Sequence, residues 1–386
     1  SANASLSASG SVNLSQLLSS IRRPSAPPAR PVPGRTPPTR RPPGSQEQPQ
    51  QPKKGGGSFN VFDTLHKIFG MVDPVSVSYS KRTGTNLYGL APGTPRWQFQ
   101  FGFSDSSGLP VAAQNVGSNR GSRSETETLN FGSGLKPSRQ ITITFKYAQS
   151  STVNRTTTVT GNESQTWVRL GNADLALPEW SVRWSGLERY LFFKKMAQTV
   201  TLDHAFSGQK RSTWSLERGI REDTRKDYDA NFRPLVGVNV TWKNGMTSTL
   251  RFNKGANLSE SIGVSRGQTR TQTMDITFTT NYSKRSNFRI PIPVWPFKNA
   301  VLKNNVDLSI TFSMNRTVTE KSKGAGIFEE TARTEKWSFM PKMTYAFSNR
   351  VRGGVSFEVG KTKNKLIGDS SIQELALDVN ISIRGN

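Results

Sequence analysis

Cysteine is absent from this 386-residue chain, which excludes disulfides and thiolate metal sites and leaves the redox compartment undecided. Histidine is nearly as scarce. Only His66 and His204 occur, too few for most histidine-based metal clusters and a poor basis for general acid–base catalysis. No stretch approaches the roughly 18 consecutive apolar residues of a membrane-spanning helix. Negative charge is short as well: 27 Asp and Glu face 52 Lys and Arg, a net charge of +25. Such a balance favours polyanionic partners, whether nucleic acid, anionic lipid headgroups or acidic polysaccharide. From Ser1 onward the sequence shows neither the charged start nor the apolar run of a signal peptide, so an exported protein with this sequence is expected to be a mature chain or the tail of a longer one.

What the chain does contain is unevenly distributed. Eleven of its 22 prolines lie between Pro24 and Pro52, mixed with Arg, Gln, Ser and Gly. Residues 1–57 therefore read as a disordered, stiff and basic linker, with too few apolar residues to offset ordering entropy. Alternative readings are a nucleic-acid- or membrane-binding arm, or a PxxP ligand. Residues 58–73 change character: Val61, Phe62, Leu65, Ile68, Phe69 and Val72 fall at helical spacing, with Asn60 as N-cap and Asp73-Pro74 as stop. A short amphipathic helix is expected there, packed on the following sheet or serving as an interfacial or plug element.

From Pro74 onward the period becomes two. Val236, Val238, Val240 and Trp242 alternate with Gly237, Asn239 and Thr241; Val306, Leu308, Ile310, Phe312 and Met314 alternate with Asp307, Ser309, Thr311 and Ser313. Met274, Ile276, Phe278 and Tyr282 share one face, and Leu375, Leu377, Val379, Ile381 and Ile383 form a last strand. Weaker examples are 75–79, 97–103, 141–147 and 200–204, for about twelve to fourteen strands in all. Turn parity sharpens the pairing. A two-residue Asn244-Gly245 turn would set the apolar face of one strand beside the polar face of the next. A three-residue loop, Lys243-Asn244-Gly245 with a left-handed Gly245, instead pairs Val238 with Leu250 and Val236 with Phe252. The loop Ser348-Asn349-Arg350 likewise pairs Met343 with Val355.

Alternation suits a soluble β-sandwich as well as a membrane barrel. Three features favour an all-β antiparallel transmembrane barrel segment over residues 74–386. The polar face is rich in Thr, Ser, Asn, Asp, Lys and Arg along nearly the whole strand, as a wet lumen permits. Aromatics crowd near basic residues, as at a membrane interface. Very short turns mix with a long connection over 283–303, whose 290–297 core is too proline-rich for a central strand. On this reading the lipid-facing wall includes Val238, Val240, Ile276, Phe278, Leu308, Ile310, Phe312, Leu377, Val379 and Ile381. The interface aromatics are Trp97, Trp180, Trp184, Tyr190, Trp242 and Trp337.

Six strings occur in one order: DPVSVSY at 73–79, NLYGL at 86–90, WQFQFG at 97–102, LPEWSVRWSGL at 177–187, FFKKMAQ at 192–198 and PLVGVNVTWKNG at 234–245. Together they resemble the C-terminal region of the SprA family, a likeness that runs over roughly residues 60–386. That resemblance implies part of a very large outer-membrane β-barrel, the non-enzymatic translocon of the type IX secretion system, which also serves gliding motility. It implies as partners outer-membrane lipid, secreted protein cargo, further strands of the same longer chain, and accessory plug and small-barrel subunits. The competing reading is an exported β-sandwich adhesin that binds acidic polysaccharide.

Other chemistry is thinly represented. Asp203-His204 is the one acid–histidine neighbour pair, and on a strand its side chains point to opposite faces, so it forms no dyad. His204 falls on the apolar face as a wall residue, and Glu329-Glu330 is expected to offset nearby Lys and Arg. The segment Gly324-Ala325-Gly326 lacks the Lys-Ser/Thr of a phosphate loop. No nucleic-acid recognition motif carries the basic residues, and no cofactor site, metal site or enzymatic activity is expected.

Overall fold

The computed structural model describes residues 2–13, 16, 70–87, 89–101, 104, 106–110, 121–170, 173–263, 266–285, 288–289, 301–322 and 327–382. Fourteen strands form one antiparallel sheet. Its path begins with β1 (Ala2–Val12), β2 (Val75–Asn86), β3 (Ser122–Ser138), β4 (Ile141–Arg155) and β5 (Val159–Thr166). Beyond a short hairpin of β6 (Val168–Leu170) and β7 (Ala173–Leu175) comes β8 (Glu179–Ser185), which lies between β4 and β9 (Ala197–Glu217). The path continues through β10 (Ile220–Trp242), β11 (Thr247–Ser261) and β12 (Gly267–Lys284). After a two-residue pair, β13 (Phe288–Arg289) with β14 (Val301–Leu302), it ends with β15 (Val306–Ser322), β16 (Glu329–Ala346), β17 (Val351–Asn364) and β18 (Gly368–Ile381). Sequence neighbours are sheet neighbours almost throughout, as short turns between antiparallel strands require.

Register follows the loop lengths. Val238 pairs with Leu250 and Val236 with Phe252. Gly245 takes φ 85° and its amide donates to the Trp242 carbonyl at 3.0 Å. Met343 pairs with Val355 across the 347–350 turn. Pro234, which has no amide proton for a ladder, sits where β10 bulges between Phe232 and Val236.

Several expectations change. Ala2–Val12 does not belong to a disordered linker: it pairs residue for residue along β2, from Ala2 opposite Thr85 to Val12 opposite Val75. The rest of the proline-rich tract, 17–57, and the bulk of the expected helix, 58–69, lie outside the described residues. At that helix's end Gly70 is helical and Met71 a turn, and pairing with the sheet begins immediately after them. Lys136 N donates to Met71 O at 2.7 Å and Asp73 N to Gly134 O at 2.8 Å, which adds residues 71–73 to the margin of β3. The segment Trp97–Gln100, read as a strand from its alternating aromatics, is a single helical turn, α1, with Phe99 buried. The 290–297 core of the long connection also lies outside the described residues.

A further departure is a break in one strand. β4 pairs with β8 through Ile141–Lys146 and with β5 through Gln149–Arg155; β9 divides in the same way. β5 and β8 are therefore two halves of one sheet position, placed end to end, with the β6–β7 hairpin extruded between them. Thr166 seals the cut: its Oγ1 accepts from Ala148 N at 2.7 Å and donates to Ala148 O at 3.0 Å. Opposite, Trp167 N donates to Gly208 O at 2.9 Å.

A single sheet buries little. The only buried hydrophobic cluster among the described residues is Ala197, Val200 and Val240, covered by Leu187 and Phe193 from the connection between β8 and β9. That connection is a 3-10 turn, Leu187–Arg189, followed by the one-turn helix α2 (Leu191–Lys194).

Candidate functional site: the two faces of the sheet

Because side chains alternate along a strand and register partners share a face, the pairing determines what each face carries. Starting from Val238, the partners run through Leu250, Phe278, Phe312, Phe339 and Val359 in one direction. In the other they run through Leu202 to Trp184 and Ile141. A second row links Phe252, Ile276, Met314 and Trp337. The apolar residues thus form one continuous band across the sheet. All ten positions expected on the wall lie on this face, and so does His204, whose ring nitrogen Nδ1 is 2.8 Å from Leu235 O.

The band has limits. In β15 it runs from Val306 to Met314, then gives way on the same face to Arg316 and Glu320. Eight steps at about 3.4 Å make about 27 Å along the strand. Beyond that margin the face carries Val318 between charged residues that are paired: Arg270 Nε lies 2.6 Å from Glu320 Oε2, and Arg316 Nε lies 3.3 Å from Glu335 Oε1.

Aromatics mark both margins. Trp337 stands in register with Met314 and Lys361, mid-strand in β16 but at the charged edge of the band. At the opposite edge, Trp242 donates from Nε1 to Ser248 Oγ at 2.8 Å, with Tyr282 and Tyr345 beside Leu308 and Val306. Trp184 meets Tyr190 edge-on at 6.2 Å, and Trp180 stacks on Phe206 at 4.4 Å. Trp97 belongs to none of these rows, since it is exposed on α1. From the sequence, Tyr282 reads only as a member of its strand's apolar face and Tyr345 is not singled out, although each ends an alternating run.

No described element covers most of the band. Phe278, Ile310 and Phe339 remain more than one-third exposed, and on the terminal strand Leu377 is 77% exposed. Val240 is the exception, buried under Leu187 and Phe193.

The other face is hydrophilic and cross-linked. Arg183 Nε sits 3.6 Å from Asp203 Oδ1. Asn239 Nδ2 donates to Asp203 Oδ2 at 3.1 Å, and Thr249 Oγ1 donates to Asn239 Oδ1 at 3.2 Å. This chain spans β8, β9, β10 and β11. Asn257 donates to Asp229 at 2.7 Å, Ser283 to Asp307 at 2.6 Å, Asn315 bonds Asp275, and the Ser313 and Ser338 hydroxyls meet at 2.9 Å. Cross-strand pairs of this kind satisfy each carboxylate with a neutral amide, hydroxyl or guanidinium. They leave a surface that wets readily and presents no activated nucleophile. Asp203 and His204 diverge to the two faces, as alternation demands.

Where the strand is broken, a cavity of about 740 Å³ opens, lined by Ser76, Ser78, Asn130, Lys146, Glu179 and Gln209 among others. Its lining mixes hydroxyls and amides with the apolar side chains of Val77, Phe131 and Tyr147, and holds one Lys and one Glu that are register partners. Among the described residues no helix is long and apolar enough to cross a membrane. Compared with known proteins, the sequence matches no family model and no curated protein.

Proposed function

We propose that this chain is a wall segment of a very large outer-membrane β-barrel and forms the C-terminal part of an SprA-like protein-secretion translocon that also serves gliding motility. One observation carries the membrane reading: a single sheet layer has an uncovered apolar band on one face and a hydrogen-bonded polar face on the other. In water, an exposed apolar surface of this extent would associate or aggregate. Against lipid it is the stable arrangement, with aromatics at both margins and polar residues toward an aqueous lumen.

The band's height agrees with that role. A strand tilted by about 40° converts about 27 Å of length into about 21 Å of height, close to the roughly 25 Å apolar belt of outer-membrane barrels. β1 and β18 end the path with one partner each, so this sheet would be joined on both sides by further strands of a longer chain. The translocon assignment rests on the resemblance of the six ordered strings. Its cargo would be secreted protein, which the polar face lets pass without adhering, and its partners would include plug and small-barrel subunits.

Fractionation of the source bacterium tests this, with an immunoblot against residues 230–386. The expected band is in the carbonate-resistant outer membrane and far heavier than 42.7 kDa. A membrane band near 42.7 kDa would point to a free-standing barrel. A soluble band of any size would remove the membrane reading and favour the exported adhesin.

A further inference from the structure

The connection between β8 and β9 is built unlike the other turns, and its position suggests a use. Residues 187–196 fold back over the end of the apolar band, with Leu187 and Phe193 packed on Val200, Val240 and Trp242. The fold is pinned at both ends. Glu188 Oε2 accepts from Val200 N at 3.1 Å, and Lys243 N donates to Met196 O at 3.0 Å. Lys243 Nζ also caps the end of α2 by donating to Lys194 O at 2.8 Å. With Leu187 and Phe193 partly buried, the segment holds other apolar side chains outward: Phe192 is 78% exposed, Met196 56% and Tyr190 54%.

Interleaved with these are Arg189, Lys194 and Lys195. Among the described residues none of the three has a carboxylate within ion-pair distance. This is not a general property of the basic residues. At the opposite ends of the strands, Arg221 is 2.7 Å from Glu163, Arg270 is 2.6 Å from Glu320, and Lys361 is 3.3 Å from Asp369. Those three cations have carboxylate partners, whereas Arg189, Lys194 and Lys195 of the collar do not.

We infer that residues 187–196 form an interfacial collar that binds the phosphate headgroups of anionic phospholipid in the leaflet at this end of the sheet. The inference rests on the membrane reading above. Phe192, Tyr190 and Met196 would enter the acyl–headgroup boundary directly beside the band, while Arg189, Lys194 and Lys195 extend to the phosphates. Amphipathic anchors place aromatic and basic side chains together in this way, and unpaired cations gain most from an anionic surface.

Because the chain lacks cysteine, single thiols report cleanly. The whole protein would carry a fluorophore at Phe192→Cys, or at Phe278→Cys in mid-band, and be reconstituted into phosphatidylcholine vesicles. Equal fractions of nitroxide-labelled phosphatidylglycerol or phosphatidylcholine then serve as quenchers. The label at position 192 should be quenched about twofold more strongly by the anionic lipid, and the label at 278 equally by both. The combined change Arg189→Gln, Lys194→Gln and Lys195→Gln should erase the preference at 192. Equal quenching of the 192 label by the two lipids, or a preference that survives the triple change, would overturn the collar while leaving the membrane reading intact. A 278 label quenched by neither lipid would defeat both.

Discussion

Arginine at Ile310 is the most informative single perturbation of the apolar band. Ile310 is the middle of the five positions from Val306 to Met314, opposite Thr280 on one side and Pro341 on the other. Four residues separate it from either margin. That is about 14 Å along the strand, or about 10 Å of depth at a tilt of about 40°. If the band faces lipid as proposed, a guanidinium there cannot reach water without distorting the bilayer, and a midplane Arg costs roughly 2–4 kcal/mol in membrane barrels. At about 1.4 kcal/mol per tenfold, Ile310→Arg should lower the folding equilibrium about 30- to 700-fold. Met314→Arg, at the margin, should cost about 0–1 kcal/mol. Thr311→Arg, on the polar face, should cost about as little. Urea titration of the whole protein in vesicles, followed by fluorescence and electrophoretic mobility, yields the three midpoints. The reasoning is refuted if Ile310→Arg is no worse than Thr311→Arg, or if Met314→Arg costs as much as Ile310→Arg.

Other substitutions probe how the wall is made. An added Cβ at Gly161 would stand 2.3 Å from the indole of Trp214, its register partner, which Arg221 covers at 4.8 Å; Gly161→Ala should cost about 1–3 kcal/mol in the same titration, and Trp214→Leu in that background should recover part of it. In Gly245→Ala the added Cβ would meet no neighbouring atom but the residue must hold φ 85°, so a loss of about 1–2 kcal/mol from backbone strain alone is expected, with the β10–β11 register unchanged in amide exchange. Thr166→Val removes both hydrogen bonds to Ala148 and should cost about 1–3 kcal/mol, with faster exchange of the Ala148 amide than of its neighbours in β4.

Much of this arrangement was legible in the sequence, for identifiable reasons. Val306–Met314 alternates without interruption because successive side chains point to opposite faces of the sheet, one apolar and one polar, and a loop-length argument at Lys243-Asn244-Gly245 yields the observed pairing of Val238 with Leu250. Past the band the signal fades. Both faces of β10 from Arg225 to Asp229 are polar, so periodicity carries no information there, and strands such as β9 run well beyond their apolar half. Ala2–Val12 was missed because its Ser, Ala and Gly alternation has little hydrophobic contrast, and its strand character comes from pairing with β2. The helical turn at Trp97 shows the opposite failure: alternating aromatics in a piece too short to pair. The break between β5 and β8 has no local signature, since each half reads as an ordinary strand. Likewise the basic collar reads as a strand-end aromatic cluster until its cations are seen to lack the acidic partners that others have.

The central claim is that one sheet separates lipid from water, and β15 allows it to be measured residue by residue. Single cysteines at Leu308, Ser309, Ile310, Thr311 and Phe312, each carrying a nitroxide in the reconstituted whole protein, would be compared for collision with oxygen and with a water-soluble nickel complex. The account predicts a strict period of two: 308, 310 and 312 favour oxygen and 309 and 311 favour nickel, with the strongest lipid signature at 310. Equal nickel accessibility on both faces would contradict it, as would protection from both reagents at the apolar positions, the mark of a face buried against protein.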